Sequence, residues 1–201
     1  MAHDWSVLER DLRRCLPPRA IVAKRQELLS YDCDGLTLER HCPPLAVLPE
    51  TTEQVAAVLQ CCHRHGVPFV ARGSGTGLSG GALVDQQALL VVTSRMRRVL
   101  DLDLANQRVT VQPGVINSWV TRAVAGDGFY YAPDPSSQVV CSIGGNVAEN
   151  SGGVALHALT PQTLGDICFF ITVSFPHTCG NDFIDPAHFG SLHITMRSIR
   201  R

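Results

Sequence analysis

Apolar residues at the start of the chain recur at the spacing of an α-helix. Trp5, Leu8, Leu12 and Leu16 lie three or four positions apart, and two prolines follow them directly. This spacing places the four side chains on one helical face, and proline interrupts a helix. The pattern therefore predicts an N-terminal helix with one apolar side.

The clearest helical signal is the segment TTEQVAAVLQCCHRHG. Thr51 and Gln54 form a capping box, in which two side chains satisfy free N–H groups at the start of the helix. Val55 and Val58 share a face, and Gly66 suits the left-handed conformation that ends many helices. Two further segments have helical patterns, at 19–30 and 116–128.

Short apolar runs bounded by turn residues predict β-strands. These runs lie at 45–49, 67–71, 88–93, 99–103 and 108–114, and the apolar stretch at 163–175 could supply one more. Strands and helices alternate without a strict β-α-β rhythm. The sequence therefore predicts an α+β fold rather than a doubly wound sheet.

The composition is that of a globular protein without a strongly charged surface. Of 201 residues 45% are hydrophobic, and the formal net charge of −1 predicts no nucleic-acid partner. The opening MAHDWSVLERDLRR is too charged for a secretory signal, and the apolar run at 167–175 is too short to span a membrane. The eight cysteines have no C-x-x-C spacing, so we expect reduced thiols, a cytoplasmic location and no metal site.

The segment VPFVARGSGTGLSGGA joins a strand pattern to a loop that is rich in glycine. Glycine allows the turns in which several backbone N–H groups surround an anion such as a pyrophosphate. Arg72 could add a fixed positive charge, and Ser74, Thr76 and Ser79 could add hydroxyl donors. A flexible surface linker is the alternative, although a linker seldom lies so tightly between two buried strand patterns.

Two familiar phosphate-binding motifs do not fit this loop. Gly75, Gly77 and Gly80 match the spacing of a Rossmann fingerprint, but that motif requires a helix after the last glycine. The next strand pattern begins at 88, which leaves no room for such a helix. A Walker loop requires a lysine after the glycines, and none is present. An NAD-dependent dehydrogenase is therefore disfavoured.

Three blocks of the sequence resemble the FAD-binding domain of the vanillyl-alcohol oxidase and p-cresol methylhydroxylase (PCMH-type) flavoproteins. The blocks are PETTEQVAAVLQCCHRHGVPFVARGSGTGLSGGA, VTVQPGV and YYAPDPSSQVVCSIGGNVAENSGG, and the resemblance covers about residues 20–154. Within this superfamily the sequence most resembles the FAD subunits of glycolate oxidases and the related D-lactate dehydrogenases. The resemblance implies an α+β, PCMH-type FAD-binding domain that is incomplete at its C-terminal end.

The resemblance also implies which residues hold FAD, in two glycine-rich elements that could clamp a dianionic cofactor from both sides. The implied residues are Arg72, Gly73, Ser74, Gly75, Thr76, Gly77, Gly80, Gly81, Pro133, Asp134, Ser137, Gly144, Gly145, Asn146, Asn150, Gly152 and Gly153. Family members with covalently attached flavin often carry a histidine shortly after the first glycines. Thr76 stands at that place here, so we expect non-covalent FAD.

We interpret residues 1–154 as the N-terminal part of this FAD-binding domain and residues 155–201 as a divergent tail, frameshifted or poorly ordered. The resemblance implies a parent enzyme that oxidises a small 2-hydroxy acid, such as glycolate or D-lactate, by hydride transfer to FAD. A second flavin subunit and an iron–sulfur subunit are the implied partners. The family's catalytic groups lie in a substrate domain that this sequence does not match, so no catalytic residue is assigned.

Two alternatives to an enzyme stay open at this point. One is a naturally short flavin-binding protein. The other is a non-catalytic fragment or interaction module that depends on partner subunits, because an unpaired apolar strand within 167–175 would be an adhesive edge.

Overall fold

The computed structural model describes residues 3–151 and the backbone of two later strands. The chain divides into two compact units, one containing the described residues up to Met96 and the other those from Arg97 onward. Helices and strands occur in both, which confirms the predicted α+β class. The proposed boundary at residue 154 and the tail after it lie outside the residues described continuously.

The first unit is built on a mixed four-stranded sheet. Its elements are α1 (Trp5–Leu12), β1 (Ile21–Val22), α2 (Arg25–Leu28), β2 (Ala46–Val47), α3 (Thr52–His65), β3 (Phe69–Arg72) and β4 (Leu89–Val92). The strand order is β1-β2-β4-β3; β1 pairs with β2 in antiparallel fashion, and the other pairs are parallel. Because β4 is central, all four of its side chains are buried.

The helices of this unit begin and end as local chemistry requires. The Thr51 hydroxyl accepts a hydrogen bond from the Gln54 amide at 3.3 Å, which caps α3, and Gly66 ends it in the left-handed conformation at φ +62°. Helix α1 packs on α3 and buries Leu8 and Leu12. Both helical predictions are confirmed, although the regular part of α1 ends before Leu16.

The helix predicted over 19–30 is largely wrong. Residues Pro18–Ala20 form a short turn, Ile21–Val22 form β1, and only Arg25–Leu28 is α-helical. The β-branched pair Ile21–Val22 hydrogen-bonds to Ala46–Val47 and thereby completes one edge of the sheet. Sheet pairing therefore outweighs the local helical pattern.

The second unit contains an antiparallel sheet with two helices. Its elements are β5 (Val99–Asp103), β6 (Arg108–Val111), α4 (Asn117–Val124), α5 (Ile143–Ala148), β7 (Ile171–Val173) and β8 (Leu192–Thr195). The strand order is β5-β6-β8-β7. The strands predicted at 99–103 and 108–114 are confirmed as β5 and β6, which pair in antiparallel fashion. Strand β7 lies inside the apolar stretch at 163–175, for which the sequence predicts one more strand. No sequence pattern had indicated β8.

Buried side chains from one face of the β6 strand and from both helices form the core of this unit. The cluster comprises Val109, Val111, Val115, Val120, Val124, Tyr131 and Ile143. Burial raises the pKa of Tyr131 to about 12, so its phenol is a neutral core group at physiological pH. This core fixes α5, which carries the predicted site residues Gly144, Gly145 and Asn146.

Candidate functional site

The first glycine-rich segment is the loop that connects β3 to β4 in the first unit. Between Arg72 and Leu89 the described chain contains no helix, which confirms that the Rossmann motif does not apply. Gly75 and Gly80 have positive φ values of +73° and +77°. A Cβ at Gly75 would overlap the Arg72 guanidinium, so alanine there would strain the backbone and displace the arginine side chain.

Three consecutive backbone amides of this loop are available to a ligand. Within the described residues, the N–H groups of Gly75, Thr76 and Gly77 donate no hydrogen bond. All three residues are half-buried, so this segment is partly accessible and is not a fully exposed linker. Backbone amides grouped in this way are donors suited to phosphate oxygens.

The Arg72 side chain lies beneath the loop, although the sequence suggested only a charge at its entrance. Arg72 is 7% exposed, and its guanidinium donates to the carbonyls of Cys33 at 2.7 Å and Ala82 at 3.4 Å. The Tyr31 ring lies 5.9 Å from the guanidinium carbon. Burial lowers the pKa of Arg72, but neighbouring groups including Asp34 oppose that shift. A direct contact with phosphate remains a prediction.

A turn that the sequence analysis did not include in the site also contacts the glycine loop. The Asp34 carboxylate accepts a hydrogen bond from the Gly80 amide at 2.9 Å, and the Gly35 amide donates to the Gly77 carbonyl at 2.9 Å. Gly80, predicted as a cofactor residue, therefore uses its amide within the fold. The motif DCDG indicates a turn, but nothing in it indicates contact with residues more than 40 positions away.

The second glycine-rich segment begins α5 in the second unit. The Gly144 amide donates to the Pro113 carbonyl at 2.8 Å, and a Cβ on Gly144 would lie 2.8 Å from the Pro113 Cβ. Gly144 is therefore required for close packing of α5, independently of any cofactor. Gly145 is half-buried, and a Cβ there would approach the Ser142 hydroxyl at 3.2 Å.

A buried chain of side-chain amides connects this segment to the predicted cofactor loop around Pro133. Asn146 donates from Nδ2 to the Asn117 Oδ1 at 2.7 Å, and Asn117 donates from Nδ2 to the Pro133 carbonyl at 2.9 Å. Asn117 is 1% exposed and was not among the predicted site residues. Asn146 and Pro133 are thus brought together, and Asn117 is the residue that joins them.

The remaining predicted residues have varied positions. Asp134 and Ser137 are half-buried, and the Ser137 carbonyl accepts hydrogen bonds from the amides of Val140 and Cys141. Asn150 is exposed at φ +50°, after the end of α5. Among the other predicted residues, Gly73 and Ser74 are half-buried, Gly81 is exposed, and Gly152 and Gly153 lie outside the described residues.

The residues present fit an FAD pyrophosphate. Three adjacent amides donate to no other described residue, the backbone conformation at Gly75 favours glycine, and a buried guanidinium lies under the loop. No group of three or more potential metal ligands occurs among the described residues. None of the helices in that part of the chain is long and apolar enough to cross a membrane.

The α+β fold and the glycine loop define a flavin-nucleotide-binding protein. The chain belongs to the FAD-binding domain family, whose model matches residues 43–170. The match extends past residue 154, where the sequence analysis placed a domain boundary, and that boundary stays a prediction. The fold is also that of p-cresol methylhydroxylase, whose structure superposes with a TM-score of 0.72 at 15% identity, over 96% of this chain and 43% of that one.

Two proteins with similar sequences carry names that refer to 2-hydroxy acids. The glycolate oxidase subunit GlcD of Escherichia coli (strain K12) is 46% identical over 183 residues, which are 90% of this chain and 37% of that protein. The D-2-hydroxyglutarate dehydrogenase of Xanthomonas citri pv. viticola is 38% identical over 71% of this chain and 30% of its own length. The chain thus spans about a third of the length of these relatives.

Proposed function

We propose that this chain binds FAD non-covalently and contributes the flavin-binding part of an enzyme that oxidises small 2-hydroxy acids. The observation that carries the proposal is the loop after β3, where the amides of Gly75, Thr76 and Gly77 are open above the buried Arg72. Family membership supplies the identity of the ligand. In place of the histidine of covalent flavoproteins the loop has Thr76, which offers no imidazole for attachment.

Each group of predicted residues has a proposed task toward FAD. The amides of Gly75 to Gly77 bind the pyrophosphate, and Arg72 compensates its charge from below. Pro133, Asp134 and Ser137 lie along the cofactor. The following residues line the remainder of the cofactor site: Gly73, Ser74, Gly80, Gly81, Gly144, Gly145, Asn146, Asn150, Gly152 and Gly153. Bound FAD would supply the two-electron acceptor for oxidation of the hydroxy acid to the 2-oxo acid.

The substrate class and the partners rest on the relatives. The names of the two similar proteins refer to glycolate oxidase and to 2-hydroxyglutarate, which are both 2-hydroxy-acid chemistry. The Escherichia coli relative is a subunit, so we propose that this chain also works in a complex, with a second flavin subunit and an iron–sulfur subunit. No residue of the chain is assigned as a catalytic base.

The test is an FAD titration of the purified chain, followed by desalting and an absorbance spectrum. We expect close to one equivalent of retained flavin, with unbound FAD recovered after denaturation in acid. Flavin lost completely from folded protein would overturn the proposal, and flavin that stays attached after denaturation would overturn non-covalent binding. Bleaching of the bound flavin under anaerobic glycolate or D-lactate tests the substrate class.

The Gly75→Ala and Gly66→Ala variants separate a loop effect from general strain. Both glycines have positive φ values, +73° and +62°, so alanine strains the backbone at either position. At Gly66 a Cβ meets nothing within 4 Å, whereas at Gly75 it overlaps the Arg72 guanidinium. We expect Gly75→Ala to lose FAD and Gly66→Ala to retain it. Equal affinities would remove the loop from the binding site.

A second candidate function is a flavin-domain module that acts only beside partner subunits. The exposed apolar side chains Val99, Leu100 and Leu102 on the edge strand β5 favour it, because an apolar edge strand is a surface for association. Retained flavin that no hydroxy acid bleaches, together with aggregation of the isolated chain, would support this candidate over the enzyme.

A further inference from the structure

The turn Asp32–Gly35, the DCDG turn, contacts the glycine loop through backbone and carboxylate groups. Gly35 donates its amide to the Gly77 carbonyl at 2.9 Å, and Asp34 Oδ2 accepts the Gly80 amide at 2.9 Å. Asp34 is 6% exposed, and its other carboxylate oxygen accepts the Leu36 amide at 2.9 Å. The contacts with the Gly77 carbonyl and the Gly80 amide hold both ends of the Gly77–Gly80 segment of the loop.

The other half of the DCDG turn is held by two arginine side chains. Asp32 is buried and accepts two hydrogen bonds from Arg40 Nη1, at 3.0 and 3.2 Å. The Cys33 carbonyl accepts from Arg72 Nη2 at 2.7 Å. Asp32 and Cys33 are therefore held by Arg40 and Arg72, while Asp34 and Gly35 contact the glycine loop.

The backbone of the DCDG turn contacts the backbone of the glycine loop next to the open amides. A Cβ on Gly35 would lie 2.7 Å from the Thr76 carbonyl oxygen and 3.1 Å from the Gly77 carbonyl oxygen. Real Cβ atoms essentially never approach a backbone oxygen as closely as 2.7 Å. The carbonyl side of the Thr76–Gly77 segment therefore rests on Gly35. Because the peptide unit is planar, the position of the Thr76 carbonyl fixes the orientation of the Gly77 N–H, which is one of the three open amides.

We infer that the DCDG turn positions the glycine loop for a pyrophosphate, with Asp34 and Gly35 as the positioning residues. The turn engages the Gly77 carbonyl and the Gly80 amide, and it leaves the amides of Gly75 to Gly77 free for the ligand. This inference rests on the proposed function. Neither Asp34 nor Gly35 need touch the cofactor.

Preorganisation explains why such a turn would matter to affinity. A glycine-rich loop has a large conformational freedom, and ordering it upon binding weakens the observed affinity. The loop in this chain is ordered by contacts that do not involve a ligand. The buried Arg72 also offsets the negative charge that Asp34 would otherwise place under an anion site.

The experiment measures FAD affinity by quenching of flavin fluorescence in the full chain and in the Gly35→Ala, Asp34→Asn and Gly126→Ala variants. Gly126→Ala is the matched control because Gly126 also lacks a positive φ, and a Cβ there meets nothing within 4 Å. We expect the dissociation constant to rise at least about tenfold in both turn variants. Asp34→Asn removes one of the two carboxylate oxygens that accept backbone amides, and the Cβ of Gly35→Ala would collide with the Thr76 carbonyl. Gly126→Ala should match the parent chain.

A ³¹P spectrum of bound FAD distinguishes positioning from a general loss of stability. We expect shifted pyrophosphate resonances in both turn variants at saturating FAD, and the parent's resonances in Gly126→Ala. Unchanged affinity and unchanged resonances in the turn variants would overturn the inference. Weaker binding that is fully explained by a smaller folded fraction, measured by urea unfolding, would also overturn the inference. A parent chain that binds no FAD would instead overturn the proposed function.

Discussion

Replacing Asn117 by aspartate should make the stability of the second unit depend on pH. The Asn117 side chain is 1% exposed, donates to the Pro133 carbonyl at 2.9 Å and accepts from Asn146 at 2.7 Å. Aspartate has the same shape, and one oxygen can still accept from Asn146. The other oxygen, when ionised, faces the Pro133 carbonyl with no proton between two acceptors.

The magnitude follows from that pair of oxygens. Leaving a buried carbonyl unpaired costs about 1–3 kcal/mol, and burying an ionised carboxylate adds to this cost. We expect Asn117→Asp to lose about 3 kcal/mol at pH 7, a large part of the roughly 5–15 kcal/mol by which domains are stable. The protonated carboxyl can donate as the amide did, so the loss near pH 4 should be about 1 kcal/mol or less.

The sign of the pH dependence follows from linkage. Burial and the facing carbonyl raise the pKa of the introduced carboxyl above its unfolded value of about 3.9. The folded state then binds more protons than the unfolded state, so stability falls as pH rises through and above that value. The variant should therefore lose stability relative to the parent between about pH 4 and pH 7.

Urea unfolding at several pH values, followed by tryptophan fluorescence, measures this change. Trp119 packs against the core of the second unit, and Trp5→Phe removes the other of the two tryptophans. Gln60→Glu is the control, since Gln60 is exposed and a surface charge change should cost less than about 1 kcal/mol. A loss in Asn117→Asp that is equal at pH 4 and pH 7 would refute the reasoning.

Three further experiments test the first unit. Leu12→Ala should cost about 3 kcal/mol in urea unfolding because Leu12 is fully buried, and Leu38→Ala, at an exposed position, should cost less than about 0.5 kcal/mol. The hydrogen bond from His65 holds the pKa of Asp11 below its usual 3.8, so stability should fall as pH drops below that value, and less steeply in Asp11→Asn. Burial raises the pKa of Cys62 to about 12, so mass spectrometry should find it unlabelled by iodoacetamide at pH 8 until urea unfolds the chain.

Features determined by neighbouring residues could be predicted from the sequence. The cap at Thr51, the left-handed Gly66 and the position of the glycine loop all depend on chemistry within a few residues. A glycine in a loop pattern indicates a position that can adopt a positive φ, as at Gly75. These elements therefore lie where the pattern indicated.

Features determined by distant partners could not be predicted in this way. Helical periodicity in 19–30 gave no sign that Ile21 would pair with Val47. Asp34 lies 46 positions before Gly80, and Asn117 lies 16 positions before Pro133, so their hydrogen bonds leave no local pattern. The local sequence around these polar residues does not show that the fold will bury them as hydrogen-bond partners of distant backbone groups.

The strand order of the second sheet has a consequence for synthesis of the chain. Strand β6 pairs on one side with β5, its neighbour in sequence, and on the other with β8, which begins about 80 residues later. At a translation rate of about 5–20 residues per second, that side of β6 stays unpaired on the ribosome for roughly 4–16 s. Nascent-chain chaperones should therefore matter most during this interval.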